Sequence, residues 1–333
     1  PNILICRCDR SLDKNLRQKI SLFCNVPVEA VVEELDVEHS IYEVPLMLQH
    51  EHLDEIVCRL LNLQTQTSNL SHWQEIVRKI VAPRYKTRIA FVGKYIELQD
   101  AYKSVFEAIT HGGIANDCGV DVVKIDAEDI EVEGAESVLN GMGGILVPGG
   151  FGARGVEGKI RAARFAREHK IPFLGLCLGM QVAAIEFARN ALGLKDAHST
   201  EFNPDTSHPV ISLLDEQKKI TKLGGTMRLG KQPCQIKKGT LAEKLYGAFL
   251  VHERHRHRYE FNNDYRKQFE DAGMVVSGTS PDDELVEIIE LKNHPFFIAC
   301  QFHPEFLSKP HKPHPLFCGF IAAAHEKLHG KRI

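Results

Sequence analysis

At 333 residues, with 43% hydrophobic and 26% charged side chains, the chain has an ordinary globular composition and room for about two domains. A formal net charge of −3 and a pI near 6.7 exclude the broad basic excess that nucleic-acid or anionic-membrane binding calls for, and no apolar stretch approaches the ~18 residues of a membrane span. Nine cysteines at irregular spacing (6, 8, 24, 58, 118, 177, 234, 300 and 318) fit neither a disulfide scaffold nor paired zinc knuckles, and point to a reducing, cytoplasmic setting.

The chain opens on an apolar run, Ile3-Leu4-Ile5-Cys6, too short and wrongly flanked for a signal peptide; a strand so early is expected of a chain that begins inside a domain. Helix-like patches follow at Leu16 to Phe23, Leu46 to Leu63 and Trp73 to Val81, with a linker-like Gln64 to Asn69 between the last two. A boundary is expected at residues 83–87, separating a segment 1–82 from a domain 88–333, because the pattern changes there. Beyond it, short β-branched runs alternate with amphipathic stretches: Ile89 to Val92, Val120 to Val123, Ile145 to Val147 and Phe173 to Leu176, each followed by a predicted helix. This alternation predicts an α/β fold with a central, mostly parallel sheet and flanking helices. After about Phe202 the strands crowd together (Val210 to Leu214, Met274 to Ser277, Leu285 to Leu291, Phe296 to Phe302), which predicts an antiparallel extension before a last helix, Phe317 to Leu328.

Chemistry concentrates first at Gly175-Leu176-Cys177-Leu178-Gly179, where an apolar strand, Ile171 to Leu176, gives way to a helix starting near Gly179. This is the layout of a nucleophile elbow with sulfur in place of oxygen. Only small residues fit beside such a turn, and the helix N-terminus supplies unpaired N–H groups and a partial positive charge to a thiolate and an oxyanion. An ordinary cysteine would be a packing residue; the glycines and the turn argue otherwise for Cys177. Cys300, inside an apolar run, keeps the packing reading.

The second element is Gln301-Phe302-His303-Pro304-Glu305. In extended backbone His303 and Glu305 project to one side, where the carboxylate can fix the imidazole's tautomer. The third is Pro148-Gly149-Gly150-Phe151-Gly152, after the strand Ile145 to Val147; paired glycines there let backbone N–H groups approach a ligand. It lacks the ending of a phosphate-binding loop, so half of an oxyanion hole is the better reading. The run His252 to Arg258 offers three imidazoles, but its interleaved arginines would repel a cation, so no metal site is expected. A solvated basic face is the simpler expectation there.

In this order, P-G-G-F-G, G-x-C-L-G-M-Q and H-P-E resemble the class I, triad-type glutamine amidotransferases. Gly93 to Leu98, Ser199 to Phe202, Leu223 to Gly230 and Glu253 to Glu260 narrow the resemblance to the CTP synthase family, and residues 1–82, with Leu22 to Pro27, look like the closing part of its amidoligase (synthetase) domain. The resemblance implies a triad of Cys177, His303 and Glu305, with Gly150 and the backbone of Leu178 at the oxyanion. It implies Gln181, Glu201 and Arg258 around the amino-acid end of L-glutamine, and, in the first segment, Lys19 near a pyrimidine nucleotide (UTP or CTP) and Asp36 and Val37 near the ATP adenine. For the intact enzyme it implies ATP and Mg²⁺ as cofactors of UTP amination, none for the glutaminase step, GTP as allosteric activator felt around Leu223 to Gly230, and a homotetramer capable of filaments.

Two departures stand out. Residues 1–82 hold no phosphate-binding loop, so this chain is expected to make no CTP by itself, and Cys8 replaces the serine expected in Arg7-Cys8-Asp9-Arg10. Another triad γ-glutamyl hydrolase, and a mainly structural oligomer or filament module, remain the alternatives; a synthetase-like tail argues against the first, and the second would keep assembling after loss of Cys177.

Overall fold

A computed structural model describes every residue of the chain except 67, 95, 97–98, 214–226 and 332. It divides into two compact units, Pro1–Arg84 and Tyr85–Ile333. Tyr85, Lys86 and Thr87, read above as linker, are the first residues of a nine-residue strand, because their backbone pairs with Cys118 to Val120. Parts of two stretches singled out in the sequence, Tyr95, Glu97 and Leu98, and Leu223 to Thr226, lie outside the described residues.

The first unit holds two parallel strands, β1 (Leu4–Cys8) and β2 (Val31–Leu35), joined through helix α1 (Lys14–Cys24). Asp13 caps α1 by accepting from Leu16 N at 2.8 Å, and Asn25 ends it in the left-handed conformation. The helical patch expected from Leu46 to Leu63 is two helices, α2 (Val44–His50) and α3 (Leu53–Leu60), broken at His52, whose φ is 57°. Helix α4 (Ser71–Val81) completes the unit, its Trp73 indole donating to the Tyr42 carbonyl at 2.6 Å.

The second unit is built on a nine-stranded sheet. Its parallel part comprises β3 (Tyr85–Gly93), β4 (Cys118–Asp126), β5 (Gly144–Val147), β6 (Phe173–Leu176) and β14 (Phe297–Cys300), in the order β14-β6-β5-β3-β4. On the far side of β14 the sheet runs antiparallel through β13 (Val286–Leu291), β12 (Met274–Thr279), β9 (Arg228–Ile236) and β10 (Leu250–His257). The antiparallel extension is therefore four strands, and two of them, β9 and β10, were not legible as strands in the sequence. A separate small sheet joins β7 (Ala197–Ser199), β8 (His208–Ser212) and β11 (Glu260–Phe261).

Side-chain alternation with period two splits the core into two layers. Ala90, Val92, Ile145, Val147, Phe173, Phe297 and Ala299 pack on one face against α6 (Ala127–Glu133), α7 (Ala135–Leu139), α8 (Val156–His169), α9 (Leu178–Asn190) and α11 (Arg266–Asp271). Ile89, Phe91, Leu146, Leu174, Ile298 and Cys300 pack on the other against α5 (Lys103–Ala115), α10 (Leu241–Tyr246) and α12 (Pro315–His329). Because both faces are covered, the central strands read as unbroken apolar runs, and their carboxyl ends are left for chemistry.

Candidate active site

Strand β6 ends at Leu176 and α9 begins at Leu178, so Cys177 alone makes the turn, with φ 52° and ψ −101°. A non-glycine residue held there costs on the order of 1–3 kcal/mol, which the surroundings must offset. They do so through Cys177 N, which donates to the Cys300 carbonyl at 2.7 Å, and the Cys177 carbonyl, which accepts from Met180 N at 3.0 Å. Both flanking glycines are needed sterically: a Cβ on Gly175 would stand 2.7 Å from the Gly179 backbone, and one on Gly179 would collide with the Val147 carbonyl.

His303 follows β14 and is anchored by its own N–H, which donates to the Arg254 carbonyl of β10 at 2.7 Å. The expectation of extended backbone through Glu305 is corrected here: Pro304–Leu307 is a 3₁₀ turn capped by His303. Proline at the first position of that turn sets the helical φ, so the two side chains meet by curling of the chain, not by strand alternation. The contact is made nonetheless, His303 Nδ1 lying 2.7 Å from Glu305 Oε1. A carboxylate only accepts, so Nδ1 carries the proton and Nε2 is turned to other business. The Cys177 sulfur lies close enough to the His303 ring to act on its charge. Burial works to lower the imidazole pKa, but the hydrogen bonds and charges of Cys177 and Glu305 outweigh it and hold His303 up at about 10. The imidazolium form beside the sulfur is thereby favoured. Gly149 fits against this ring; a Cβ there would stand 2.8 Å from His303 Cε1.

Two cavities meet at Cys177. The first is lined by Gly150, Phe151, Cys177, Gln181, Glu201, Met227, His257, Arg258 and Tyr259, and so gathers most of the residues singled out for a glutamine-like ligand. Leu178 lies alongside, its Cδ2 3.6 Å from the position a Gly150 Cβ would take, and as the first residue of α9 it presents an N–H with no partner inside the helix. The Gln181 amide donates to the Tyr259 carbonyl at 3.0 Å and to Gln301 Oε1 at 3.4 Å, so what it offers the cavity is its own carbonyl oxygen. Burial raises the Glu201 carboxyl pKa, opposed by the Gly152 N–H and by the charges of Arg258 and Lys94. The second cavity, on the other side of the thiol, is lined by Lys94, Tyr102, Lys103, Gly149, Arg256, His303 and Phe306 among others. Between the two, Lys94 Nζ donates to the Phe151 carbonyl, and beneath the loop the fully buried Lys159 Nζ lies 3.9 Å from where a Gly150 Cβ would be. Burial lowers the Lys159 pKa to about 8.

Residues His252 to His257 of the run lie on strand β10, with Arg258 just past its end, and the alternation along the strand is strict: Glu253, His255 and His257 are buried while His252, Arg254 and Arg256 face out. The solvated basic face is half the truth. The buried row forms an ionic network in which His255 Nε2 meets Glu287 Oε2 at 2.7 Å, Arg228 meets Glu287 Oε1 at 2.6 Å, and His257 Nε2 meets Glu260 Oε1 at 2.6 Å. His257 and Arg258 thus reach the cavity from a rigid, charged wall that sequence reading missed; the buried-polar alternation of Glu253, His255 and His257 was the available signal. Cys300 is fully buried, and burial pushes its thiol well above the usual range.

In the first unit, Lys19 is exposed on α1, and Asp36, just past β2, pairs with Arg7 at 2.8 Å. With Val37 they line no part of that unit's cavity around Arg17, His50, Glu51 and Arg59. Among the described residues no group of three or more His, Cys, Asp or Glu is placed to hold a metal ion. All nine cysteines are free, and no helix among the described residues is long and apolar enough to cross a membrane.

The chain is similar to known proteins over most of its length. Residues 97–323 match the family described as glutamine amidotransferase class-I, and residues 1–63 match the CTP synthase N-terminus. A CTP synthase of Clostridium perfringens is 53% identical over 324 residues, 97% of this chain and 60% of its own length; one from Synechococcus is 56% identical over 328 residues, 98% of this chain and 60% of its own. The chain thus spans about 60% of the length of the curated relatives it matches. Among solved structures, the glutaminase domain of Trypanosoma brucei CTPS with bound acivicin is 42% identical, with a TM-score of 0.68 over 72% of this chain and 93% of that one. Taken with the fold and the elbow, these matches show that the chain belongs to the class-I glutamine amidotransferases, in their CTP synthase branch.

Proposed function

We propose that residues 85–333 hydrolyse glutamine to glutamate and ammonia, with Cys177 as nucleophile, His303 as acid and base, and Glu305 as the group that orients His303. The observation that carries this reading is the joining of a cysteine at a strained elbow to a carboxylate-held histidine, at the meeting point of two cavities. Attack of the Cys177 thiolate on the substrate's carboxamide carbon gives a tetrahedral oxyanion, stabilised by the N–H groups of Gly150 and Leu178. His303 gives its proton to the departing ammonia, leaving a γ-glutamyl thioester, and then takes one from the water that cleaves it. Glu201 and the Gln181 carbonyl suit the substrate ammonium, and Arg258 its carboxylate. The trypanosomal glutaminase domain holds bound acivicin, which makes that compound a probe for the corresponding site here.

In the whole protein we infer that the ammonia serves ATP- and Mg²⁺-dependent amination of UTP to CTP, with GTP activating, in a cytoplasmic homotetramer or filament; the match of residues 1–63 to the CTP synthase N-terminus favours this over a free-standing γ-glutamyl hydrolase. Lys19, Asp36 and Val37 would serve that half of the reaction. The test is glutamate release and acivicin labelling by the 333-residue chain and its Cys177→Ala variant. Wild type is expected to show both, the variant neither; unchanged hydrolysis by the variant contradicts the assignment.

A further inference from the structure

Gln301 is fully buried one residue past β14, and both ends of its amide are spoken for. Along β14, Phe297 and Ala299 face the layer that contains α9, while Ile298, Cys300 and Phe302 face the opposite layer. Gln301 continues the first row, which brings it under the first turn of α9, where Cys177 sits. Its Nε2 donates to Cys177 Sγ at 3.8 Å, and its Oε1 accepts from Gln181 Nε2 at 3.4 Å. Gln181 Nε2 also donates to the Tyr259 carbonyl at 3.0 Å. An amide nitrogen only donates and an amide oxygen only accepts, so the Gln181 nitrogen heads the chain, giving to the Tyr259 carbonyl on one side and to Gln301 on the other, and Gln301 in turn gives to the sulfur.

We propose that Gln301 is a further catalytic residue of the glutaminase site, a neutral donor that stabilises the Cys177 thiolate and couples it to the wall of the glutamine cavity. The proposal rests on the glutaminase reading above. Cys177 is only 5% exposed, so its charge must be met by protein groups in place of water. A donor aimed at sulfur favours thiolate over thiol, since the thiol is the weaker acceptor. His303 supplies one such donor, but its proton leaves with ammonia in each turnover. The Gln301 amide cannot transfer a proton, so it stays a donor throughout and cannot quench the nucleophile. Its two partners hold it in that orientation, and because Gln181 and Tyr259 line the cavity, a ligand that moves Gln181 moves the donor on the thiol.

The test compares the 333-residue wild type with Gln301→Leu and Gln301→Glu. Alkylation of Cys177 by iodoacetamide is followed against pH, read by mass on the Cys177 peptide, alongside kcat and KM for glutamate release and the thermal midpoint. Gln301→Leu is expected to move the alkylation midpoint up by about half to one pH unit and to lower kcat about tenfold, with KM changing less. Gln301→Glu keeps the shape and the acceptor for Gln181 but puts a negative charge beside the sulfur, so its shift is larger and in the same direction; if the leucine variant fails to fold, this one decides. Midpoints equal to wild type in the folded variants would overturn the proposal and leave Gln301 a packing residue. Alkylation does not depend on hydrolysis, so failure of the glutaminase reading appears separately, as glutamate release surviving Cys177→Ala.

Discussion

On one side of β14 the sheet is parallel, apolar and covered on both faces; on the other it is antiparallel and carries buried ionisable groups in its interior. The parallel side contributes backbone: the elbow at Cys177, the glycine loop after β5, the N-terminus of α9. The antiparallel side contributes charge and anchorage: His257 at the end of β10 and Arg258 just past it, the Arg254 carbonyl that holds His303, and the network of Arg228, His255 and Glu287 behind them. Parallel strands with covered faces have no place for ions, but their carboxyl ends converge on one edge. An antiparallel edge can bury a polar row because alternation leaves its other row in water.

That division of labour can be broken from either side. The largest effect is expected at the seam. His303→Ala should lower kcat for glutamine hydrolysis by about a thousandfold, and Glu305→Gln should lower the His303 pKa from about 10, moving the alkaline limb of the pH–rate profile downward. The sign for stability is explicit: a raised histidine contributes stability that is full below about 6.5 and is lost as pH rises through about 10, so Glu305→Gln should cost stability most at neutral pH and below. A titration of unfolding free energy against pH checks this.

From the antiparallel side, Arg258→Met removes a cation proposed for the substrate carboxylate; steady-state kinetics should show KM rising about thirtyfold with kcat less affected. From the parallel side, Gly149→Ala places a methyl 2.8 Å from His303 Cε1, and kcat should fall about tenfold as the ring shifts. Next comes Glu287→Gln, which leaves Arg228 and His255 without their buried anion; denaturant unfolding should show a loss of about 3 kcal/mol at neutral pH. Burial alone would raise the Glu287 pKa, yet His255 and Arg228 lower it, so its contribution is present above the usual carboxylate range and lost as pH falls through the depressed value. Smallest of all, Arg88→Ala breaks only the exposed pair with Asp121, and should change stability by about 0.5 kcal/mol or less and hydrolysis not at all.

The parallel side was legible in the sequence because its signals are local. Apolar runs such as Ile145 to Val147 mark strands, and glycines at 149, 175 and 179 mark places where side chains cannot fit. The antiparallel side was not, since β10 reads as a basic run until one sees that Glu253, His255 and His257 share a face with partners on Glu287, Glu260 and His314, all distant or on another strand. His303 and Glu305 were paired for the wrong reason, proline having turned the chain into 3₁₀ helix where extension was expected. Gln301 escaped notice because its function depends on what lies across the sheet, which no spacing in the sequence encodes.

The central claim is that Cys177 carries the substrate's γ-glutamyl group during turnover. Quenching the 333-residue chain in acid during hydrolysis and reading the Cys177 peptide by mass tests it most directly. A γ-glutamyl adduct on that peptide, absent without glutamine and more abundant when His303 is replaced and deacylation is slowed more than acylation, is the predicted result. Steady glutamate release with no adduct on Cys177, or an adduct on another of the nine cysteines, would contradict it.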